Sequence, residues 1–170
     1  MLRWACAVLV VLCSAMLSMN EVIRSRQRIR ALRALLEALG ALRTELTQRH
    51  TPLPELLQLL TARQRQPAAE FFSAAAVNLV RRELPFSTAW EMALKETEPL
   101  CLLPEEQQAM ENLGRLLGRS GAGEQAEAIL RTEKKLAVFL ELEERERMKK
   151  NRLRAAVGAG AGVMLAILLL

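Results

Sequence analysis

Very few side chains in this sequence could do covalent or acid–base chemistry. There is one histidine, His50, three cysteines, Cys6, Cys13 and Cys101, no tyrosine and no aspartate. His50 could in principle act as a general base beside the Thr51-Pro52 turn, but nothing nearby offers it a partner, and a solvated helix end fits it as well. Cys101 has no Cys or His at ligand spacing, whereas a zinc site needs several such ligands. As a nucleophile it would need an activating base, and His50 is the only imidazole. The glutamates are interspersed with Arg and Lys, so no carboxylate pair stands out. Gly158-Ala159-Gly160-Ala161-Gly162 has the look of a phosphate loop, yet no strand precedes it and it lies inside an apolar stretch. The reading is therefore a protein that is not an enzyme, with no catalytic residue, cofactor, metal or small-molecule substrate.

The elements around these residues point to a membrane instead. Trp4 to Met19 contains no charged residue, and neither does Ala155 to Leu170. Just inside the first stretch lie Arg24, Arg26, Arg28, Arg30 and Arg33. Just inside the second lie Lys149, Lys150, Arg152 and Arg154. Basic flanks resist translocation, so both face the cytoplasm. The expectation is an N-terminal transmembrane helix over residues 1–20, a cytoplasmic helical domain over 21–154 and a C-terminal transmembrane helix over 155–170. Sixteen helical residues span about 24 Å against about 30 Å of hydrocarbon, a gap that snorkelling Arg and Lys can close. A signal peptide with Arg3 as its positive region and Cys13 and Ala15 near its cleavage site is the rival reading of the N-terminus, and the five arginines that follow argue against export. The net charge of +5 and the pI near 9.6 come with only 4% aromatic residues. The excess sits beside the apolar ends, which suits anionic lipid head groups better than nucleic acid. Gly158 with Gly162, and Ala156 with Gly160, give the second anchor small-residue faces for close helix packing, on the first anchor or on a partner.

Between the anchors only helical periodicity is found. Leu32, Leu35, Leu36, Leu39, Leu42 and Leu46 make one stripe on a helix that continues the first anchor to about Gln48. Thr51 is expected to cap the next helix, with Leu53, Leu56, Leu57 and Leu60 on its inner face. Pro67 opens a third, with Phe71, Phe72, Ala75, Leu79 and Val80 inward. Ser87 or Thr88 is expected to cap a short helix holding Trp90, a residue that either fills the core or serves as a partner contact. Pro104-Glu105-Glu106 starts a fifth helix, with Met110, Leu113, Leu116 and Leu117, and Gly118 ends it. The last helix runs from about Glu124 into the second anchor, with Ala126, Ile129, Leu130, Leu136, Leu140 and Phe139 inward. Its Glu143-Glu144-Arg145-Glu146-Arg147 run reads as a solvated stalk. The fold class is all-α: an antiparallel bundle of about six helices, the first and last long because both return to one membrane.

Several stretches resemble the stage III sporulation protein AB family. They are Arg30-Ala31-Leu32-Arg33 leading to Glu45-Leu46 and Thr51-Pro52-Leu53-Pro54-Glu55, then Ser87-Thr88-Ala89-Trp90-Glu91-Met92-Ala93-Leu94, then Leu116-Leu117-Gly118-Arg119-Ser120 with Gln125, and Asn151 before the Gly-rich end. The family's turn usually carries Asp after the Ser, and Gly121 stands there, so an acidic role at that turn is not implied. The resemblance implies a mother-cell membrane protein of the channel apparatus joining mother cell and forespore, in the outer forespore membrane. Its cytoplasmic domain would be similar to type II secretion and type IV pilus platform domains, docking a cytoplasmic ATPase, stage III sporulation protein AA. The alternative is a structural adaptor that joins other channel subunits through its transmembrane helices and binds no ATPase.

Overall fold

A computed structural model of the protein describes the backbone of residues 2–48, 51–97, 100–117, 119 and 121–169, and the side chains of 22–48, 51–97, 100–117, 119, 121 and 123–151. Six helices and no strand appear among the described residues: α1 Leu2–Gln48, α2 Leu53–Arg63, α3 Ala68–Val80, α4 Phe86–Glu96, α5 Pro104–Leu117 and α6 Ala122–Leu169. Each helix packs on its successor, and α6 returns against α1, so the order closes into a ring. The long pair is antiparallel, because Ser25 meets Glu143 near one end of the seam and Arg43 meets Glu133 further down. No helix among the described residues is long and apolar enough to cross a membrane. The expected transmembrane segments, 1–20 and 155–170, fall outside the residues whose side chains are described.

The leucine stripe of α1 is the spine of the core. Leu32, Leu35, Leu39, Leu42 and Leu46 are buried, with Ala31, Ala34 and Ala38 between them, and Leu36 is half-buried at the edge. Burying a leucine stabilises by about 1.5–3 kcal/mol. From α2 come Leu56, Leu57 and Leu60, and from α6 Ile129 and Leu136. The other expected inner positions of α6, Ala126, Leu130, Phe139 and Leu140, are only half-buried, where α6 packs on α1 and α5.

The starts of α2 and α4 differ from expectation. Pro52 and Pro85, rather than Thr51 and Ser87 or Thr88, stand at the cap positions, with no side-chain cap bond. Their rings hold φ at −59° and −53°, and the extended ψ values of 142° and 145° are those of a cap residue. Their carbonyls accept the first helical bonds, from Leu56 and Ala89.

Trp90 fills the centre of the head. It is fully buried, its indole N–H donates to the carbonyl of Met110 at 2.8 Å, and its ring stands edge-on to Phe71 at 4.8 Å and 88°. Phe72 and Phe86 close the cluster. A partner cannot reach this ring, so the candidate partner contact at Trp90 is corrected to a core residue. Room for it comes from Gly114 of α5, where an added Cβ would lie 2.3 Å from Trp90 Cδ1. That approach turns α5 so that Leu116, expected inside, is 47% exposed. On α3, Val80 likewise faces out and Leu79 is half-buried, while Asn78 is buried and donates to Glu96 Oε2 at 3.2 Å. Arg82 donates to the other oxygen at 3.0 Å. The Asn78 bond, then the Arg82 bond, hold the Glu96 carboxyl below its usual range.

Gly114→Ala is expected to destabilise the fold by about 1–3 kcal/mol, as overpacking against a rigid ring does. Urea unfolding followed by helical circular dichroism checks this, and in a Trp90→Leu background the same change should cost much less. Because the carboxyl of Glu96 is depressed in the fold, its contribution is present above its usual value of 4.5 and is lost as pH falls through the folded value. Glu96→Gln should therefore flatten the acid limb of a stability–pH profile there, as thermal melts at stepped pH would show.

Candidate functional site

The densest polar geometry outside the apolar core lies where α1, α5 and α6 meet. It is built from the start of α5. Leu103 stands just before Pro104, and Glu106, three residues on, folds back to accept the Leu103 N–H at 2.8 Å. This is one half of a capping box, and the carboxylate also sits at the positive end of the helix dipole. The Glu106 side chain is fully buried. Its remaining capacity is taken by Arg28 of α1, whose Nε lies 3.1 and 3.2 Å from the two oxygens and whose Nη2 lies 2.6 Å from Oε1. Nη1 of the same guanidinium reaches Glu143 Oε2 of α6 at 2.6 Å, and Ser25 Oγ donates to Glu143 Oε1 at 2.7 Å. One planar cation thus ties three helices.

Burial pulls the Arg28 pKa down, but the hydrogen bond to Glu106 and the charges of Glu106, Glu143 and Glu146 outweigh it and hold it above the ordinary value. A raised pKa contributes stability that is fully present below the ordinary guanidinium value and is lost only as pH rises through the folded one, so the guanidinium stays charged at every working pH. No buried side-chain nitrogen or oxygen among the described residues lacks a hydrogen-bond partner.

This junction revises two expectations. Arg28 is not a membrane-flanking cation, because it turns inward and its side chain is only 15% exposed. Glu143 is not part of a solvated stalk, because it faces Arg28 and Ser25. The seam explains why: α1 supplies an arginine where α6, past Leu140, turns no further apolar residue inward among the described residues. Arg24, Arg26, Arg30, Lys149 and Lys150 are exposed, as head-group contacts would require. The side chains of Arg152, Arg154, Ala156, Gly158, Gly160 and Gly162 lie outside the described residues, as does His50. Cys101 sits in the α4–α5 turn at φ 46°, with its Sγ 3.8 Å from Gln27 Oε1 of α1. No group of three or more His, Cys, Asp or Glu that could hold a metal occurs among the described residues.

The partnership of Glu106 with Arg28 was not legible in sequence. The Pro104-Glu105-Glu106 start marked a helix, but a residue 78 positions away had to be brought to it. The only available signal was an arginine, Arg28, one residue before Ile29 at the head of an apolar stripe.

The chain belongs to the stage III sporulation protein AB family, whose model matches residues 3–170. It is 30% identical over 119 residues to the stage III sporulation protein AB of Bacillus subtilis (strain 168), covering 69% of this chain and 70% of that protein. A solved structure titled stage III sporulation protein AB (SpoIIIAB) matches with a TM-score of 0.66 at 28% identity, over 72% of this chain and 98% of that one. The resemblance read from the sequence is thereby established, and with it a role related to sporulation. The names of these relatives describe a sporulation protein and state no catalytic activity.

Arg28→Met should destabilise the fold by about 3–5 kcal/mol, because Glu106 is left buried without its cation. Arg28→Met combined with Glu106→Leu should recover most of that loss, apart from about 1 kcal/mol for the α5 cap. Urea unfolding of the two single variants and the double variant measures both quantities.

Proposed function

We propose that this family member is a non-enzymatic membrane platform of the channel apparatus between mother cell and forespore. Residues 1–20 and 155–170 span the outer forespore membrane from the mother-cell side, and residues 21–154 form a cytoplasmic head that docks an ATPase, the one called stage III sporulation protein AA. The observation that carries this reading is the way the chain leaves the head. Val22 of α1 and Lys150 and Asn151 of α6 line one crevice, so the two long helices depart side by side and in opposite chain direction. Both charge-free ends then point the same way, each behind exposed cations. Lys or Arg near an anionic leaflet contributes about 1 kcal/mol each, and Arg24, Arg26, Arg30, Lys149 and Lys150 are placed to do so.

Two anchors and a head suit a scaffold. The part of α1 whose side chains are described, residues 22–48, reaches about 40 Å, enough to hold the short helices clear of the head groups. The surface presented to the cytoplasm is then that of α2 to α5. Lys95 on α4 and Lys134 on α6 are exposed on the head, whereas Lys149 and Lys150 are exposed next to the anchor.

Crosslinking of the full-length protein in sporulating-cell membranes, followed by purification in mild detergent and mass spectrometry, tests the proposal. The expected result is capture of the ATPase with links through Lys95 or Lys134. Capture of membrane subunits alone, through Lys149 or Lys150, would replace the docking platform by the adaptor.

A further inference from the structure

The seam between α1 and α6 changes character at Arg28. On the head side of it the two helices face each other through Leu32, Leu35, Leu39 and Leu42 on α1 and Ile129 and Leu136 on α6, all fully buried. On the membrane side no buried apolar residue of either helix remains among the described residues. There the facing groups are Val22, Ser25, Glu143, Glu146 and Lys150, around a crevice of about 30 Å³. That is room for about one water molecule, in a site with several hydrogen-bonding partners. Ile23 and Met148, on either side of this segment, are 47% and 56% exposed, so these two apolar residues point away from the seam and leave Val22 as the one that faces it among the described residues.

We propose that this segment is a wet, compliant joint: the two helices shift relative to one another above Arg28, while the head below it stays one rigid body. The physical contrast is large. Interlocked leucines resist separation because pulling the helices apart exposes apolar area and opens voids. Part-buried polar contacts beside a water-sized crevice resist less, since water can take over their hydrogen bonds at a small net loss. The Arg28 guanidinium is the pivot. Its bonds to Glu106 are buried and fixed, while its bond to Glu143 joins a second Glu143 contact, to Ser25, that is itself at the edge of solvent. The joint lies between the head and the two apolar ends, so the head can tilt without dragging both anchors. This inference rests on the proposed membrane anchoring for its role, though not for its existence.

Spin labels decide it. In the full-length chain with Cys6, Cys13 and Cys101 replaced by alanine, one labelled pair is Ile23→Cys with Met148→Cys, across the joint. The other is Thr44→Cys with Lys134→Cys, across the apolar seam, where both residues are exposed. Pulsed dipolar spectroscopy in anionic-lipid nanodiscs should give a broader distance distribution for the first pair than for the second. Ser25→Leu with Glu146→Leu fills the crevice and leaves the Arg28 bonds to Glu106 and Glu143 in place. It should narrow the first distribution, leave the melting temperature unchanged or raised, and lower spore formation in cells that carry it as their sole copy. Equally narrow distributions in the unfilled chain would overturn the joint. A filled, well-folded chain that sporulates normally would overturn its role. Failure of the anchoring itself would show separately, as protein that does not float with vesicles, and the label distances would still be measurable in detergent.

Discussion

The fold depends on how a carboxyl group with no solvent exposure is satisfied. Glu106 accepts the Leu103 N–H and the Arg28 guanidinium, and both are supplied by geometry that exists only when α1 and α5 are docked. Desolvating such a pair costs several kcal/mol per ion, so its bonds must be made completely or the docked state is lost. Leucine contacts tolerate a small slide along a helix, whereas a forked guanidinium on a fixed carboxylate does not. The pair therefore sets the register of α1 against α5. Through Nη1 it also sets the register of α1 against α6, so one side chain places both long helices relative to the head.

The remainder of the head is arranged around that fixed point by close packing. The edge-on contacts of Phe71 and Phe72 with Trp90 join α3 to α4, and the indole N–H reaches across to α5. Gly114 is the only residue type that admits the indole at that distance. The ring of helices closes on itself because each element buries one face against the element before it and one against the element after. The short helices need nothing more than this, since none is long enough to be stable alone in water.

These constraints produce a two-part object. A head with an aromatic and leucine core is stiff, and it is carried on a pair of helices whose contact turns polar as they leave it. In the proposed platform, this division would put rigidity where the partner binds and compliance where the anchors begin. The exposed cations of the departing segments lie on the same side of the molecule as both apolar ends. Arg28 was taken out of that basic collar to serve the core.

Much of this was legible in the chain. Periodicity of leucines gave the number and approximate extent of the helices, because burial of one face at 3.6-residue spacing is a local property. Prolines marked the starts, although the caps were expected at Thr51 and at Ser87 or Thr88 and stand at Pro52 and Pro85: proline's fixed φ also serves a cap position, and only the carbonyl bonds to Leu56 and Ala89 reveal it. The order of motifs was enough to place the chain in its family. What sequence could not supply was any partnership between distant residues. Leu116 and Gly114 are two positions apart, and which of them meets Trp90 depends on how α5 is rotated by its neighbours. Arg28 stands among five arginines that look alike in sequence, and only the docking of α5 and α6 selects it. Helix, turn and apolar stripe follow from interactions within a few residues. The rotation of each helix, and the one arginine drawn inside, follow from contacts that exist only once the ring has closed.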